Sequence, residues 1–228
     1  MEIAEALKNV LENIRSSALK AGRDDEIRLI AVSKTVELQR IIEAVKAGVT
    51  ILGENRVQEA KEKITNSPLA RRKVEWHLIG SLQKNKARAA VELFDLIQTV
   101  DSAGLAAELN KHAKNAGMVQ DILVQVKLSD EAAKHGVPEK DLMGLLDEIT
   151  NMDGLKLRGL MTIPPFFDDP EKARPYFRKL RQIAETASAR GFPVNELSMG
   201  MSNDYMVAIE EGATMVRVGS AIFGDRNF

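Results

Sequence analysis

A lysine that follows a short apolar run near the start of the chain has the type and position to do chemistry. The run covers residues 29–32, is rich in branched side chains, and is followed by Ser33-Lys34-Thr35, so it predicts a buried strand that ends at Lys34. In a parallel sheet or barrel, ligands bind at the carboxyl ends of the strands. A partly desolvated lysine there favours its neutral amine, a nucleophile toward carbonyl carbon. The alternative is a rim lysine that extends into water.

Two loops near the end of the chain carry glycine and small hydroxyl residues. Residues 199–204 read Met-Gly-Met-Ser-Asn-Asp, and residues 217–224 read Arg-Val-Gly-Ser-Ala-Ile-Phe-Gly. In a (β/α)8 barrel, the loops after the seventh and eighth strands often bind phosphate through backbone N–H groups at a helix start. Ordinary turn chemistry also accounts for Gly and Ser in either loop alone. The two loops together leave a phosphate site and ordinary turn chemistry as equal alternatives.

An arginine, Arg217, lies within the last predicted strand. Burying its charge requires a partner, which is either an acid among the strand ends or a ligand acceptor such as a carboxylate, a phosphate or a ring nitrogen. A lysine amine, a phosphate site and an arginine around one opening suggest an aldehyde that bears a phosphate and is held as a Schiff base.

The composition excludes several classes of function. The 228 residues include 32 basic and 33 acidic ones, and this balance offers no global field for nucleic acid or anionic lipid. Cysteine is absent and the three histidines are scattered, so we expect neither a disulfide framework nor a metal site. The amino terminus lacks the apolar run of a signal peptide, and no window has the length of a membrane span. We expect a soluble cytoplasmic protein that binds neither nucleic acid nor membranes.

The remaining sequence supplies the elements that must position these residues. An amphipathic helix over residues 3–21 precedes about eight strands, each followed by a helical stretch. The strands are predicted near residues 29–32, 50–52, 74–80, 96–100, 121–127, 155–160, 196–198 and 214–218. This alternation favours a single (β/α)8 TIM-type barrel with an extra N-terminal helix, in one domain over residues 1–228. An open doubly wound sheet is the alternative, but it normally shows a glycine-rich turn after its first strand.

Five motifs occur in an order that resembles the pyridoxal phosphate homeostasis proteins (the YggS/PROSC family). They are Ala-Val-Ser-Lys-Thr at 31–35, Gly-Glu-Asn-Arg-Val-Gln-Glu at 53–59, His-Leu-Ile-Gly-Ser-Leu-Gln-Lys-Asn-Lys at 77–86, Leu-Ser-Met-Gly-Met-Ser-Asn-Asp at 197–204 and Val-Arg-Val-Gly-Ser-Ala-Ile-Phe-Gly at 216–224. The resemblance spans essentially the whole chain. It implies a (β/α)8 barrel related to the amino-terminal domain of bacterial alanine racemase, with pyridoxal 5'-phosphate (PLP) as its ligand.

The resemblance also implies roles for individual residues. Lys34 is expected to form the internal aldimine with PLP, and Arg217 is expected to face the pyridine nitrogen. The implied phosphate site consists of Ser202, Gly219 and Ser220, with Ser198 and Gly200 in support.

Four further positions follow from the same motifs. The resemblance places Asn55 near the ring hydroxyl, Met161 in the lining of the pocket, and His77 in the cofactor site or, alternatively, in its wall. Lys84 and Lys86 belong either to a docking loop or to a solvated rim. Family members commonly carry Pro shortly after the first motif, whereas this chain has Val36-Glu37-Leu38, which changes the rigidity of the loop because Pro would preset the helix entry.

The implied arginine restricts the chemistry that PLP would support. Arginine cannot accept a hydrogen bond from a protonated pyridine, so the ring nitrogen stays neutral and acts as a weak electron sink, which suits racemisation with strong bases or no catalysis at all. Racemisation needs a base on each face of the substrate Cα. Alanine racemase takes its second base, a tyrosine, from a separate domain of the partner subunit, whereas this sequence ends at Phe228 after the predicted barrel and has only Tyr176 and Tyr205. Tyr205 is predicted near the opening of the barrel, which keeps a weak activity in consideration.

We therefore predict a non-catalytic, monomeric PLP-binding protein of PLP homeostasis, with apo forms of PLP-dependent enzymes as recipients of the cofactor. One alternative is a PLP-dependent amino-acid racemase of weak activity. The other is an aldolase-like barrel that forms a Schiff base without PLP.

Overall fold

Strands and helices alternate along the chain in a computed structural model that describes residues 2–65, 69, 74–129 and 135–224; Phe228 lies outside these ranges. The strands are β1 (Arg28–Val32), β2 (Ile51–Glu54), β3 (Glu75–Leu78), β4 (Leu96–Val100), β5 (Gln120–Lys127), β6 (Val137–Pro138), β7 (Leu155–Met161), β8 (Glu196–Met201) and β9 (Met215–Val218). The helices are α1 (Ile3–Lys20), α2 (Leu38–Lys46), α3 (Val57–Thr65), α4 (Ala87–Leu93), α5 (Ala103–Asn115), α6 (Glu139–Thr150), α7 (Arg174–Ala189), α8 (Tyr205–Glu210) and α9 (Ser220–Phe223).

Eight parallel strands form a closed barrel. The order runs β4-β3-β2-β1-β9-β8-β7-β5, and a pairing of β4 with β5 closes the ring. This confirms the predicted (β/α)8 barrel and rules out the open doubly wound sheet. The two-residue strand β6 pairs with β5 outside the ring; it was not predicted, because two residues are too few to show a strand period.

The predicted N-terminal helix is confirmed as α1, which packs against α2, α8 and α9. Its buried residues recur at helical spacing and include Ile3, Leu7, Val10 and Ile14, as expected for an amphipathic helix that covers the side of a barrel. Among the described residues, no helix has both the length and the apolar character that crossing a membrane requires.

The interior of the barrel holds an apolar cluster and several buried polar side chains. The cluster consists of Ile30, Ile51, Leu96, Leu123, Met161 and Met215. Because alternate residues of a strand face the same side, Gln98 shares the interior face with Leu96, and Arg217 shares it with Met215. Both polar side chains are buried. Above this cluster, the loops that follow the carboxyl ends of the strands surround an opening, which we call the mouth.

Candidate functional site

The loop after β1 carries Lys34 at the mouth. Lys34 is half-buried, and the turn that contains it is closed by a hydrogen bond of 3.0 Å from the Val36 N–H to the Ser33 carbonyl. A proline at position 36 would lose this bond, so the absence of Pro at that position fits the turn. Thr35 has φ +60°, a left-handed conformation that is uncommon for a residue other than glycine. The backbone on both sides of Lys34 therefore has a defined conformation, fixed by this hydrogen bond and by the left-handed torsion angle of Thr35.

A buried cluster formed by Ser33, Glu54, Glu59 and Lys63, the Lys63 cluster, holds this loop against α3. The Lys63 ammonium donates to the Ser33 carbonyl at 2.6 Å, to Glu54 Oε1 at 2.8 Å and to Glu59 Oε1 at 2.7 Å. The Ser33 hydroxyl donates to Glu54 Oε1 at 2.6 Å, and the Thr35 N–H donates to Glu59 Oε1 at 2.5 Å. Burial raises the pKa of Glu54, while the hydrogen bonds from Lys63 and Ser33 act in the opposite direction.

The Lys63 cluster was not predicted from the sequence. Ser33, Glu54 and Glu59 belong to the motifs at 31–35 and 53–59 but received no role there. The i,i+4 spacing of Glu59 and Lys63 on a charged helix is equally typical of an exposed pair.

The loops after β8 and β9 meet at Ser202 and Gly219. The Ser202 hydroxyl oxygen accepts the Gly219 N–H at 3.0 Å and the Ala221 N–H at 3.5 Å. Gly219 is buried at the start of α9, and Ser220 is exposed beside it. The structure thus brings together the three residues of the predicted phosphate site. It also shows that backbone N–H groups at the start of α9, those of Gly219 and Ala221, donate to an oxygen atom, here the Ser202 hydroxyl.

Gly200 lets the loop after β8 fold closely onto α8. Its φ is +89°, and a Cβ added there would lie 2.5 Å from Ala208 Cβ and 2.9 Å from Tyr205 Cα. The turn is completed by Asp204, whose Oδ1 accepts the Met201 N–H at 2.6 Å. Burial raises the pKa of Asp204, a residue that the sequence analysis left without a role.

Arg217 is buried in the barrel interior. Its Nη1 donates to Ser198 Oγ at 2.8 Å, and its Nη2 donates to the Thr162 carbonyl at 2.9 Å. Burial lowers the pKa of Arg217 to about 10, and the nearby charge of Asp204 opposes this change, so the guanidinium is protonated at neutral pH. Within the described ranges, Arg217 forms no salt bridge with an acid. Its two hydrogen bonds use two of five donors.

Asn55 lies at the mouth, whereas Met161 lies deeper, in the barrel interior. Asn55 is half-buried directly after β2, and a Cβ on Gly80 would lie 2.3 Å from the Asn55 carbonyl oxygen. Gly80 therefore allows the ends of β2 and β3 to approach at the mouth. Met161 is fully buried in the interior cluster, next to Thr162, whose carbonyl accepts from Arg217.

The structure does not bring His77 to the other predicted residues. His77 lies within β3, which continues through Leu78, so the carboxyl end of this strand is formed by Ile79 and Gly80 instead. Its Nε2 is 3.4 Å from Glu75 Oε2, and its Nδ1 is 3.0 Å from Gln98 Nε2. The imidazole lines a cavity of about 590 Å³ at the amino-terminal end of the barrel, opposite the mouth.

Tyr205 is also placed differently from the expectation. It is buried at the start of α8, and its hydroxyl accepts a hydrogen bond of 3.1 Å from Asn13 Nδ2 of α1. The hydroxyl is therefore directed at α1 on the outside of the barrel.

The mouth thus presents an amine, backbone donors for an oxyanion and a buried guanidinium, a donor set that fits a phosphate-bearing aldehyde with a ring acceptor. Among the described residues, no group of three or more His, Asp or Glu side chains could hold a metal ion.

Comparison with known proteins agrees with this geometry. The family model described as "Alanine racemase, N-terminal domain" matches residues 5–227. The pyridoxal phosphate homeostasis protein of Aquifex aeolicus (strain VF5) is 41% identical over 230 residues, which cover 100% of this chain and 100% of that protein. The chain belongs to the pyridoxal phosphate homeostasis protein family. The family predicted from the five motifs is confirmed.

A second relative and a solved structure are similar to the chain over nearly its whole length. The pyridoxal phosphate homeostasis protein of Escherichia coli (strain K12) is 39% identical over 232 residues, covering 100% of this chain and 98% of that protein. The solved structure of PipY from Synechococcus elongatus PCC7942, with PLP bound, is 38% identical with a TM-score of 0.85, covering 98% of this chain and 100% of that chain.

Proposed function

We propose that this protein holds PLP at the mouth as a Schiff base with Lys34 and takes part in PLP homeostasis without catalysing a reaction. The observation that carries the proposal is the meeting of the loops after β8 and β9 at Ser202 and Gly219. It supports a phosphate site at the end of the barrel that carries Lys34, as does the similarity to PipY, whose structure has been solved with PLP bound.

Each part of the mouth contributes a separate function. When bound, PLP supplies an aldehyde carbon that condenses with a primary amine and releases one water. Lys34 provides this amine in its neutral form, and the Lys63 cluster fixes the loop that carries it. Ser202, Gly219 and Ser220 bind the phosphate, and Ser198 and Gly200 support them. We assign Asn55 to the ring hydroxyl and Met161 to the floor of the pocket.

Arg217 narrows the chemistry that bound PLP would support. As a pure hydrogen-bond donor, it would face the ring nitrogen and keep that nitrogen unprotonated, which would leave the ring a weak electron sink, suited to racemisation with strong bases or to no catalysis at all. Ser198 and Thr162 fix the guanidinium in this position. Racemisation also needs a base on each face of the substrate Cα, and the Tyr205 hydroxyl is engaged with Asn13 instead. The PLP-dependent racemase is therefore the second candidate.

A combined turnover and delivery assay tests the proposal. Protein loaded with PLP is expected to racemise alanine no faster than the same concentration of free PLP, and to restore the activity of an apo PLP-dependent enzyme. Lys34→Ala serves as the control that lacks the amine. Turnover that exceeds free PLP and is lost in Lys34→Ala would establish the racemase instead.

A further inference from the structure

A line of hydrogen bonds crosses the barrel interior from Arg217 near the mouth to Glu75 at the amino-terminal end. It runs through Ser198, Gln98 and His77, and we call these five residues the interior relay. The successive distances are 2.8 Å from Arg217 Nη1 to Ser198 Oγ, 2.6 Å to Gln98 Oε1, 3.0 Å from Gln98 Nε2 to His77 Nδ1, and 3.4 Å from His77 Nε2 to Glu75 Oε2. All members except Glu75 are buried.

With the Gln98 amide placed as it is in the structure, the donor inventory gives the direction of every bond in the interior relay. Arginine only donates, so the Ser198 oxygen accepts from Arg217 and its own hydrogen goes to Gln98 Oε1. The Gln98 amide nitrogen then donates to His77 Nδ1, and its second hydrogen faces Met215 Sδ at 3.9 Å. His77 must therefore carry its proton on Nε2, directed at the Glu75 carboxylate. Every donor points away from Arg217, and this order requires a neutral imidazole.

A second proton on His77 would reverse the direction of the hydrogen bonds from His77 to Gln98 and from Gln98 to Ser198. An imidazolium donates from both nitrogens, so Gln98 would have to turn its amide and present its oxygen to Nδ1. The Gln98 nitrogen would then donate to Ser198 Oγ, which already accepts from Arg217, and the Ser198 hydrogen would lose its acceptor. The interior relay thus has two arrangements, and they differ in how Ser198 holds the guanidinium.

The charges around His77 come from six strands or strand ends. They are Arg28 of β1, Glu75 of β3, Asp95 before β4, Asp121 of β5, Arg158 of β7 and Glu196 of β8, all of which line the cavity with His77. Arg28 forms an ion pair with Glu75, and Arg158 lies 3.2 Å from Glu196 and 3.6 Å from Asp121. Burial lowers the pKa of His77, while Glu75 opposes that change, so the neutral arrangement is the resting one at neutral pH.

We propose that His77 is a proton-sensitive positioning residue for Arg217, acting through Gln98 and Ser198. Neutral His77 holds the guanidinium in the arrangement that binds PLP, and PLP binding in turn holds His77 neutral, because coupling between two sites is reciprocal. The inference rests on the proposed function at the mouth and adds a means of regulating it from the opposite end of the barrel. The His77 side chain is itself 0% exposed, and its Nε2 is connected to solution through the exposed Glu75 carboxylate.

Nitrogen-15 NMR of labelled histidines tests this inference in the wild-type protein. The chain has only three histidines, so His77 is assigned by its loss in His77→Gln. We expect the Nε2–H tautomer for His77, and we expect PLP to lower its proton affinity by about fivefold or more. The His112 signals, from α5, serve as the internal reference and should not respond to PLP. If absorbance shows that the protein holds PLP and the His77 titration is nevertheless unchanged, this inference is overturned while the proposed function stands.

Gln98→Met provides an independent test because it interrupts the interior relay without adding charge. PLP affinity, measured by absorbance titration, is expected to fall about fivefold or more, and His77 should no longer respond to PLP. Acid weakens PLP binding in every variant that keeps Lys34, because the amine must be neutral to react. His77→Gln should bind PLP at neutral pH and show a smaller weakening of affinity in acid than the wild-type protein, whereas His112→Gln should keep wild-type behaviour. Wild-type affinity in Gln98→Met, together with the full wild-type acid dependence in His77→Gln, would contradict the relay. Failure of the wild-type protein to bind PLP would instead overturn the proposed function.

Discussion

Lys63→Met is expected to lower the free energy of unfolding by about 3–5 kcal/mol at pH 7, because it leaves the Glu54 carboxylate buried without its cation. The Glu54 side chain has 0% exposure and that of Lys63 has 11%. Glu54 Oε2 already has no hydrogen-bond partner, so only the Ser33 hydroxyl would remain for this side chain. Urea unfolding followed by circular dichroism measures the change. Lys61→Met, an exposed neighbour on the same helix, should change stability by about 0.5 kcal/mol or less.

The same variant has a predictable dependence on pH. Burial raises the pKa of folded Glu54 above that of the unfolded chain, so the unfolded chain loses this proton first as pH rises. The contribution of Glu54 to stability is therefore present below the unfolded pKa and is lost as pH rises through the folded pKa. Removing Lys63 raises the folded pKa further, so the deficit of Lys63→Met should be smaller at pH 4 than at pH 7.

A double variant separates the lost charge pair from lost packing. Glu54→Gln combined with Lys63→Met removes both charges, and it is expected to recover most of the stability that Lys63→Met loses. A double variant as unstable as the single one, with the same deficit at both pH values, would show that Glu54 is not an uncompensated buried charge.

Gly200→Ala is expected to lower the free energy of unfolding by about 2–5 kcal/mol, because a left-handed backbone strains alanine and the added Cβ overlaps α8. The clash is with Ala208 Cβ at 2.5 Å and Tyr205 Cα at 2.9 Å. Since the residue lies between Ser198 and Ser202, PLP binding should weaken as well. Denaturant unfolding and PLP titration of the same samples measure the two effects.

Gly22→Ala is the matched control for this prediction. Gly22 also has a positive φ, +68°, but a Cβ there meets nothing within 4 Å. Gly22→Ala should lower the free energy of unfolding by only about 1–2 kcal/mol, the cost of placing alanine in a left-handed backbone conformation, and PLP binding should be unchanged. Equal losses in the two variants would mean that the contact between the β8 loop and α8 is not tight.

The fold could be predicted from the sequence because it depends on local signals. Each of the eight barrel strands shows a short apolar run, and each is followed by a helical stretch, so alternation alone indicated the barrel. The general rule that loops seven and eight of a barrel bind phosphate pointed to the two loops, and the family resemblance selected Ser202 and Gly219 within them. The structure joins these two residues by a hydrogen bond.

The rest could not be predicted because it depends on contacts between distant parts of the chain. Gln98 and Ser198 are hydrogen-bonded although 100 residues separate them, and Gln98 has no local signal that distinguishes it from other strand residues. His77 belongs to a recognised motif, but only the register of β3 in the closed barrel shows that its ring faces the amino-terminal end. Likewise, only the packing of α1 against α8 reveals where the Tyr205 hydroxyl points.

The most direct test of the central claim is the absorbance spectrum of the protein mixed with PLP, before and after borohydride reduction, followed by mass mapping of the modified peptide. The account predicts a reducible Schiff-base band, a reduced adduct on Lys34, loss of both in Lys34→Ala, and their retention in the rim variant Lys84→Ala. A band that persists in Lys34→Ala, or an adduct confined to another lysine, would contradict it.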